Sequence, residues 1–223
     1  MSTRPSDLKT APPETIRTGL AAGPLRRAVL DNLLYLQGRF PRIASPHDWY
    51  MALAYSVRDR MLARWESTTR AYLQRDVKVA CYLSAEFLIG PQLGDNLVKL
   101  GMQSAAREAM AGLDQDLDAL LALEPEPGLG SGGLGRLAAC YLDSLATLEI
   151  PAMGYGIHYE FGMFKQEFRD GAQAEVTDKW LQKGDPWEIS RPAPMQGEHT
   201  DEVLKEFGYS TEQIAGFRSS GVL

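Results

Sequence analysis

The stretch Gly128-Leu-Gly-Ser-Gly-Gly-Leu-Gly-Arg136 decides how this chain is read. Behind it, Leu137 to Leu148 forms an amphipathic run with apolar residues at helical spacing. Glycine loses more conformational freedom on folding than any other residue, so five of them in eight positions need a reason. A glycine-rich turn opening into a helix leaves N–H groups unpaired at the positive end of the helix dipole. Those groups suit a phosphate or another anion, and the missing side chains let it approach the backbone. The simpler alternative is a turn that only requires positive φ.

Working outward, the bulk properties narrow the class of protein. A chain of 223 residues with 44% hydrophobic residues can bury a sizeable core in one large or two small domains. A formal net charge of −6 argues against nucleic acid as the main partner. No apolar run reaches the ~20 residues of a membrane span, and no charged-then-apolar leader opens the sequence, so no membrane partner is expected. Cys81 and Cys140 sit among apolar residues without metal-like spacing. They read as buried free thiols in a reducing, cytoplasmic setting, with no metal site.

Met1 to Thr18 is polar and proline-bearing and reads as a loose arm. Pro24 to Leu36 has helical periodicity and is ended by Gly38 and Pro41. Ser45-Pro46 opens a second helix that runs past Trp65 towards Leu73, with Arg58, Arg60 and Arg64 on a face expected to be solvated. Val77 to Leu83 is a β-rich apolar run, as expected of a strand buried on both faces. Ser84 and Glu86 follow it, where open α/β sheets place ligands, although Ser84 would serve equally as a helix cap.

Leu93 to Met110 reads as helix interrupted near Gly101, and Asp114 to Leu123 as an acidic helix stopped by Pro125. After the glycine helix, Ala152 to Tyr159 and Met163 to Phe168 read as strands. Arg169-Asp-Gly171 is a hairpin signal, and Asp185-Pro-Trp-Glu188 a turn with an aromatic anchor. Thr200 to Phe207 and Ser210 to Arg218 read as short helices, the second with capping-box spacing from Ser210 to Gln213.

Gly128, Gly130 and Gly133 satisfy the GxGxxG spacing of dinucleotide folds. That fingerprint must follow a central strand, and Glu124-Pro-Glu-Pro127 cannot form one, because proline donates no ladder hydrogen bond. A ligand-facing loop of another kind is the better reading.

Four long motifs in order carry a resemblance. They are Tyr82-Leu-Ser-Ala-Glu-Phe-Leu-Ile-Gly90, the whole run from Glu124 to Leu148, Gly154-Tyr-Gly-Ile-His-Tyr-Glu-Phe-Gly162, and Trp180-Leu-Gln-Lys-Gly-Asp-Pro-Trp-Glu188. From about Arg17 to Arg191 the chain resembles the N-terminal part of the glycogen (α-1,4-glucan) phosphorylases, bacterial members in particular. The resemblance implies an α/β fold: an incomplete N-terminal Rossmann-like lobe of a two-lobed GT-B glycosyltransferase, with a helical N-terminal region. It implies phosphorolysis of terminal α-1,4 links to glucose 1-phosphate with retained configuration. The implied partners are α-1,4-glucan, inorganic phosphate and, for association, a second copy in a homodimer. The implied cofactor is pyridoxal 5′-phosphate on a lysine that lies beyond residue 223.

By the same resemblance, Gly132, Gly133, Leu134 and Gly135 contact substrate phosphate and glucose, and Gly133 and Leu88 approach the cofactor. Glu86 and Arg136 support that layer or pair with each other. No complete catalytic set is implied within this chain. Trp65 to Tyr72 matches part of the nucleotide-activator site of regulated animal members, whereas their phosphorylated serine arm is not recognisable. Ser131 and Asp185 stand where relatives usually carry asparagine, His158 where arginine is common, and Ala172 where tryptophan is. Ser131 retains the ability to cap the helix.

Beyond Pro192 the texture changes, and Gly197 to Leu223 resembles the C-terminal tail of the family III (CaiB/BaiF) CoA-transferases. The expected organisation is therefore an arm (1–16), a partial phosphorylase domain (17–191) and a short helical tail (192–223). The expected function is that of a glycogen phosphorylase piece, inactive by itself. The alternatives are a non-catalytic fusion remnant that binds glucan or a full-length phosphorylase, and a CoA-transferase fragment.

Overall fold

The computed structural model describes residues 15–190, 205 and 210–219. The chain divides into two compact units, Met1–Trp187 and Glu188–Leu223.

The first unit is a mixed helix and strand structure resting on a helical base. Helix α1 (Thr15–Thr18) leads into α2 (Ala22–Asp31), which continues as a π-helical turn, Asn32–Leu36. Leu25, Ala28, Val29 and Leu33 recur at helical spacing and are all buried, so this helix forms by committing one stripe to the core. Gly38, in the left-handed region at φ 64°, turns the chain away.

Helix α3 (Pro46–Arg75) opens on a capping box: the Asp48 N–H donates to Ser45 Oγ, and the Ser45 N–H donates to Asp48 Oδ2 at 2.8 Å. It runs two residues past the expected Leu73 and ends where Asp76 adopts a left-handed conformation. Helices α4 (Leu93–Lys99) and α5 (Gln103–Ala111) are separated at Gly101, φ 69°, as their sequence indicates. Helix α6 (Leu117–Leu121) is shorter than expected, because Asp114 turns left-handed and Asp116 then caps the helix. These helices share one core in which Leu25, Val29, Trp49, Leu53, Leu97 and Met110 are buried together. Each fully buried side chain of this kind stabilises the fold by roughly 1.5–3 kcal/mol.

Two arginines of α3 depart from the solvated face expected for them. Arg60 is buried, donating to the carbonyls of Gly19, Ser56 and Ile16 at 2.8, 2.6 and 3.1 Å. Arg58 donates to the Pro186 carbonyl and stacks on Tyr55. The cause is tertiary: α1 and the segment after it fold back over α3, so residues 15–18 are helical and tied down rather than loose. The ion pair Arg17–Asp59 at 3.1 Å holds the same contact.

Strand β1 (Ala80–Leu83) pairs in parallel with β2 (Ala152–Tyr155), with Cys81 opposite Met153 and Leu83 opposite Tyr155. The crossover contains α4 to α6 and α7 (Gly132–Thr147). Helix α7 covers one face of the pair, where Tyr141 packs at 5.7 Å from the Tyr82 ring and Leu142 fills the space over Gly154. Contrary to the expectation of burial on both faces, among the described residues nothing covers the other face, and Cys81 and Cys140 are both exposed. An apolar strand sequence states what the strand can tolerate; which layers cover it is decided by the rest of the assembly. A separate hairpin, β3 (Lys165–Arg169) and β4 (Ala172–Val176), turns at Asp170-Gly171, where both residues have positive φ as a tight two-residue reversal demands.

In the second unit, the Ser210–Gln213 capping box forms in both directions and starts the helix Thr211–Ser219. The expected Thr200–Phe207 helix lies outside the described residues except at Lys205, which is helical. Among the described residues no helix is long and apolar enough to cross a membrane.

Candidate functional site: the glycine loop at the start of α7

Helix α7 starts at Gly132, so Gly132, Gly133 and Gly135 lie in its opening turn while Gly128 and Gly130 precede it. No strand precedes the loop at 124–127, in keeping with the argument against a dinucleotide fingerprint. Instead the loop wraps around the segment that follows β1. The Phe87 N–H donates to the Leu129 carbonyl at 2.8 Å and the Leu88 N–H to the Gly135 carbonyl at 2.9 Å. The Ser131 N–H donates to Glu86 Oε2 at 2.9 Å. The Ser84 hydroxyl, which caps no helix, closes a turn by donating to the Glu86 carbonyl at 2.7 Å. Residues 84–88 and 128–135 are therefore one interlocked unit.

That packing sorts the five glycines by cause. A Cβ at Gly128 would lie 2.5 Å from the Trp180 ring, which is anchored by its indole N–H donating to the Tyr159 carbonyl. A Cβ at Gly130 would lie 2.8–2.9 Å from the Phe87 and Leu88 backbone, and one at Gly135 would lie 3.2 Å from Glu86 and Leu88. Gly132 has φ +60°. Gly133 is different: its φ is ordinary for the helix, and within 4 Å of where its Cβ would sit there is nothing. The fold explains four of the glycines and leaves Gly133 unexplained.

The surroundings of Gly133 are open. Leu134 is 77% exposed, and Arg136 is exposed with its guanidinium 3.5 Å from the Leu88 carbonyl. Among the described residues Glu86 and Arg136 form no ion pair with each other, because the Glu86 carboxylate is turned to the loop backbone. Ser131 sits at the N-cap position in an extended conformation, but its side chain makes no capping hydrogen bond, contrary to its expected cap role. The first-turn N–H groups of α7 are thus left to solvent or to a ligand. Glu86, Gly128, Gly130, Ser131, Tyr159 and Phe161 line a cavity of about 170 Å³ beside the loop. Leu88, half-buried, meets the loop through its backbone. The sequence thus brings Gly132, Gly133, Leu134, Gly135, Glu86, Leu88 and Arg136 to one place.

Tyr159 and Phe161 lie outside the residues singled out from the sequence, although both fall in the Gly154–Gly162 motif, which was the available signal. A larger cavity, about 480 Å³, lies along α3 by Thr18, Arg60 and Arg64. The Arg60 donors there are engaged by backbone carbonyls, so the loop is the better site.

The phosphorylase family model, described as carbohydrate phosphorylase, matches residues 110–212. The match covers the loop and α7, and runs on past Pro192 to residue 212. The glycogen phosphorylase of Synechocystis sp. is 55% identical over 214 residues, 94% of this chain and 25% of the relative. That of Haemophilus influenzae is 47% identical over 169 residues, 76% of this chain and 21% of the relative. The human brain form is 50% identical over 170 residues, 73% of this chain and 20% of the relative. The chain spans no more than a quarter of the length of these relatives. Together the matches support the glycogen phosphorylase family for the N-terminal part of the chain.

Proposed function

We propose that this chain is a piece of a glycogen phosphorylase, and that it supplies one wall of the site where phosphate and a terminal glucose unit meet. The reaction is phosphorolysis: phosphate attacks the anomeric carbon of the terminal residue, the α-1,4 bond breaks, and the shortened glucan leaves with a proton on its free 4-hydroxyl. The product is glucose 1-phosphate with retained configuration. The observation that carries the reading is Gly133, a glycine for which the fold itself has no need, at the open start of α7.

In this reading, the first-turn N–H groups of Gly133 and Leu134 orient phosphate oxygens and stabilise negative charge as it develops, and Gly135, buried one position further in, lets the turn pack on Glu86 and Leu88. The bare Cα of Gly133 lets those oxygens and the sugar ring approach. Glu86 holds the loop in register through the Ser131 N–H. Tyr159 and Phe161 give the adjoining cavity an apolar wall on which a sugar face can lie.

The donor set also fits the phosphate of pyridoxal 5′-phosphate, with Gly133 and Leu88 against the cofactor. When bound, that cofactor supplies a phosphate group that relays a proton. Its anchoring lysine, like the opposite lobe of the GT-B fold, belongs to the part of the relatives that this chain does not match. The organisation proposed is a partial phosphorylase domain over 17–191 followed by a short tail. The isolated chain is accordingly inactive, and glucose 1-phosphate release from maltodextrin tests this directly. Release by the purified chain alone would contradict the division of the site between two parts.

A further inference from the structure

The Trp180–Glu188 motif supplies no side chain to the cavity beside the loop, but its first residue stands directly behind it. Trp180 is buried, yet it lies outside the helical core. One edge of its indole serves two neighbours. Cδ1 and Nε1 lie 2.5 and 2.8 Å from where a Gly128 Cβ would sit, and the Nε1–H donates to the Tyr159 carbonyl at 3.1 Å. Gly128 and Tyr159 both line the cavity, one from the glycine loop and one from the segment after β2. The packing is as close beside them. The Gly162 N–H donates to the Asp178 carbonyl at 3.0 Å, and a Cβ at Gly162 would overlap the Asp178 carboxylate. Neither Gly128 nor Gly162 has a positive φ, so space and not backbone conformation requires them.

We propose that Trp180 is a positioning residue: its indole edge holds the entry of the glycine loop at Gly128 in register with the Tyr159 wall of the cavity. The inference rests on the proposed function, in which loop donors and wall face one ligand at a fixed separation. Misplacing such groups by an ångström costs about a hundredfold in rate. What makes the role specific is convergence, since one indole edge touches a residue from each part of the cavity lining. The other fixings of the loop, from the Leu129 carbonyl to the Gly135 carbonyl, all follow Gly128 in the chain. Without the indole edge, the interlock with residues 84–88 opens from its entry.

The test is hydrogen exchange by NMR on the 223-residue chain, comparing wild type with Trp180→Phe and Trp180→Leu. The first keeps an aromatic ring but removes the N–H, and the second removes the ring as well. The Phe87, Leu88 and Ser131 amides, whose hydrogen bonds close the interlock, report the loop. The Leu53 and Val57 amides of α3 report the helical core. Exchange at the loop amides should accelerate about tenfold in Trp180→Phe and about a hundredfold in Trp180→Leu, with α3 rates unchanged, as when one unit opens locally. Inorganic phosphate titrated into the same samples should shift the Gly133 and Leu134 amides of the wild type. Its affinity should fall about tenfold or more in Trp180→Leu.

Equal acceleration at loop and α3 amides, or loss of the folded state in Trp180→Phe, would show a residue of general stability and overturns the proposal. So do unchanged loop rates in both variants, and so does equal phosphate affinity in wild type and Trp180→Leu. The two measurements also separate this inference from the functional one. A wild-type chain whose Gly133 and Leu134 amides ignore phosphate removes the anion reading, and the exchange rates then decide the role of Trp180 by themselves.

Discussion

Gly130 and Gly133 stand three residues apart and make opposite predictions. Gly130→Ala drives a Cβ into the backbone of Phe87 and Leu88, which cannot move without opening the interlock. It should cost about 1–3 kcal/mol of stability by urea unfolding, as overpacking does. Gly133→Ala meets nothing in the chain. Because alanine is a better helix former than glycine, it should leave stability unchanged or raise it by up to ~1 kcal/mol. A large loss of stability in Gly133→Ala would remove the argument that this glycine answers to a ligand.

A second residue-scale prediction concerns pH. Burial raises the Asp48 pKa, but the Ser45 N–H and hydroxyl, helped by Arg39, outweigh it and hold the carboxyl below its ordinary value. A depressed carboxylate contributes stability above its unfolded pKa and loses it as pH falls through the folded one. Asp48→Asn should therefore cost about 1 kcal/mol at pH 7. Thermal melts of variant and wild type should converge as pH drops below about 4. A gap that persists unchanged at low pH would show that the charge is not what stabilises the cap.

At the scale of elements, Glu124 connects three parts of the first unit. Its carboxylate accepts from the Gln92 and Leu93 N–H groups at the start of α4, at 2.9 and 2.8 Å, and from the Trp187 indole at 2.8 Å. Removing it strands donors at a helix end and frees the aromatic anchor of the Asp185–Glu188 turn. Glu124→Ala should cost about 2–4 kcal/mol in urea unfolding, more than a lone cap. An effect no larger than that of a surface substitution would mean that the turn holds itself.

The elements were legible wherever local chemistry decides. Ser45-Pro46-His-Asp48 announces its capping box, Asp170-Gly171 its reversal, and Gly101 its helix break, because in each the signal and its consequence are a few residues apart. The burial of Arg60 was not legible, since it depends on residues 16–19 folding over α3 from some forty positions away. Nor was the exposure of Cys81 and Leu83, for an apolar strand does not say which of its layers are present. The glycine loop lay between these cases. Its composition suggested a ligand-facing loop, but separating Gly133 from its four structurally required neighbours needed the packing around each.

At the scale of the molecule, the helical base has its own core, and among the described residues nothing covers the second face of the β1–β2 pair. The proposed function treats the loop, interlocked with residues 84–88, as one wall of a shared site. The most direct test of this account is glucose 1-phosphate release from glycogen and phosphate by a full-length chimera in which this chain replaces the matching part of the Synechocystis phosphorylase. Wild-type and Gly133→Ala chimeras would be compared with pyridoxal 5′-phosphate present. The account predicts release by the wild-type chimera, none by the chain alone, and a drop of about a hundredfold with Gly133→Ala at unchanged stability, as expected when reacting groups are displaced by an ångström. Full activity in the Gly133→Ala chimera, or release by the isolated chain, would contradict it.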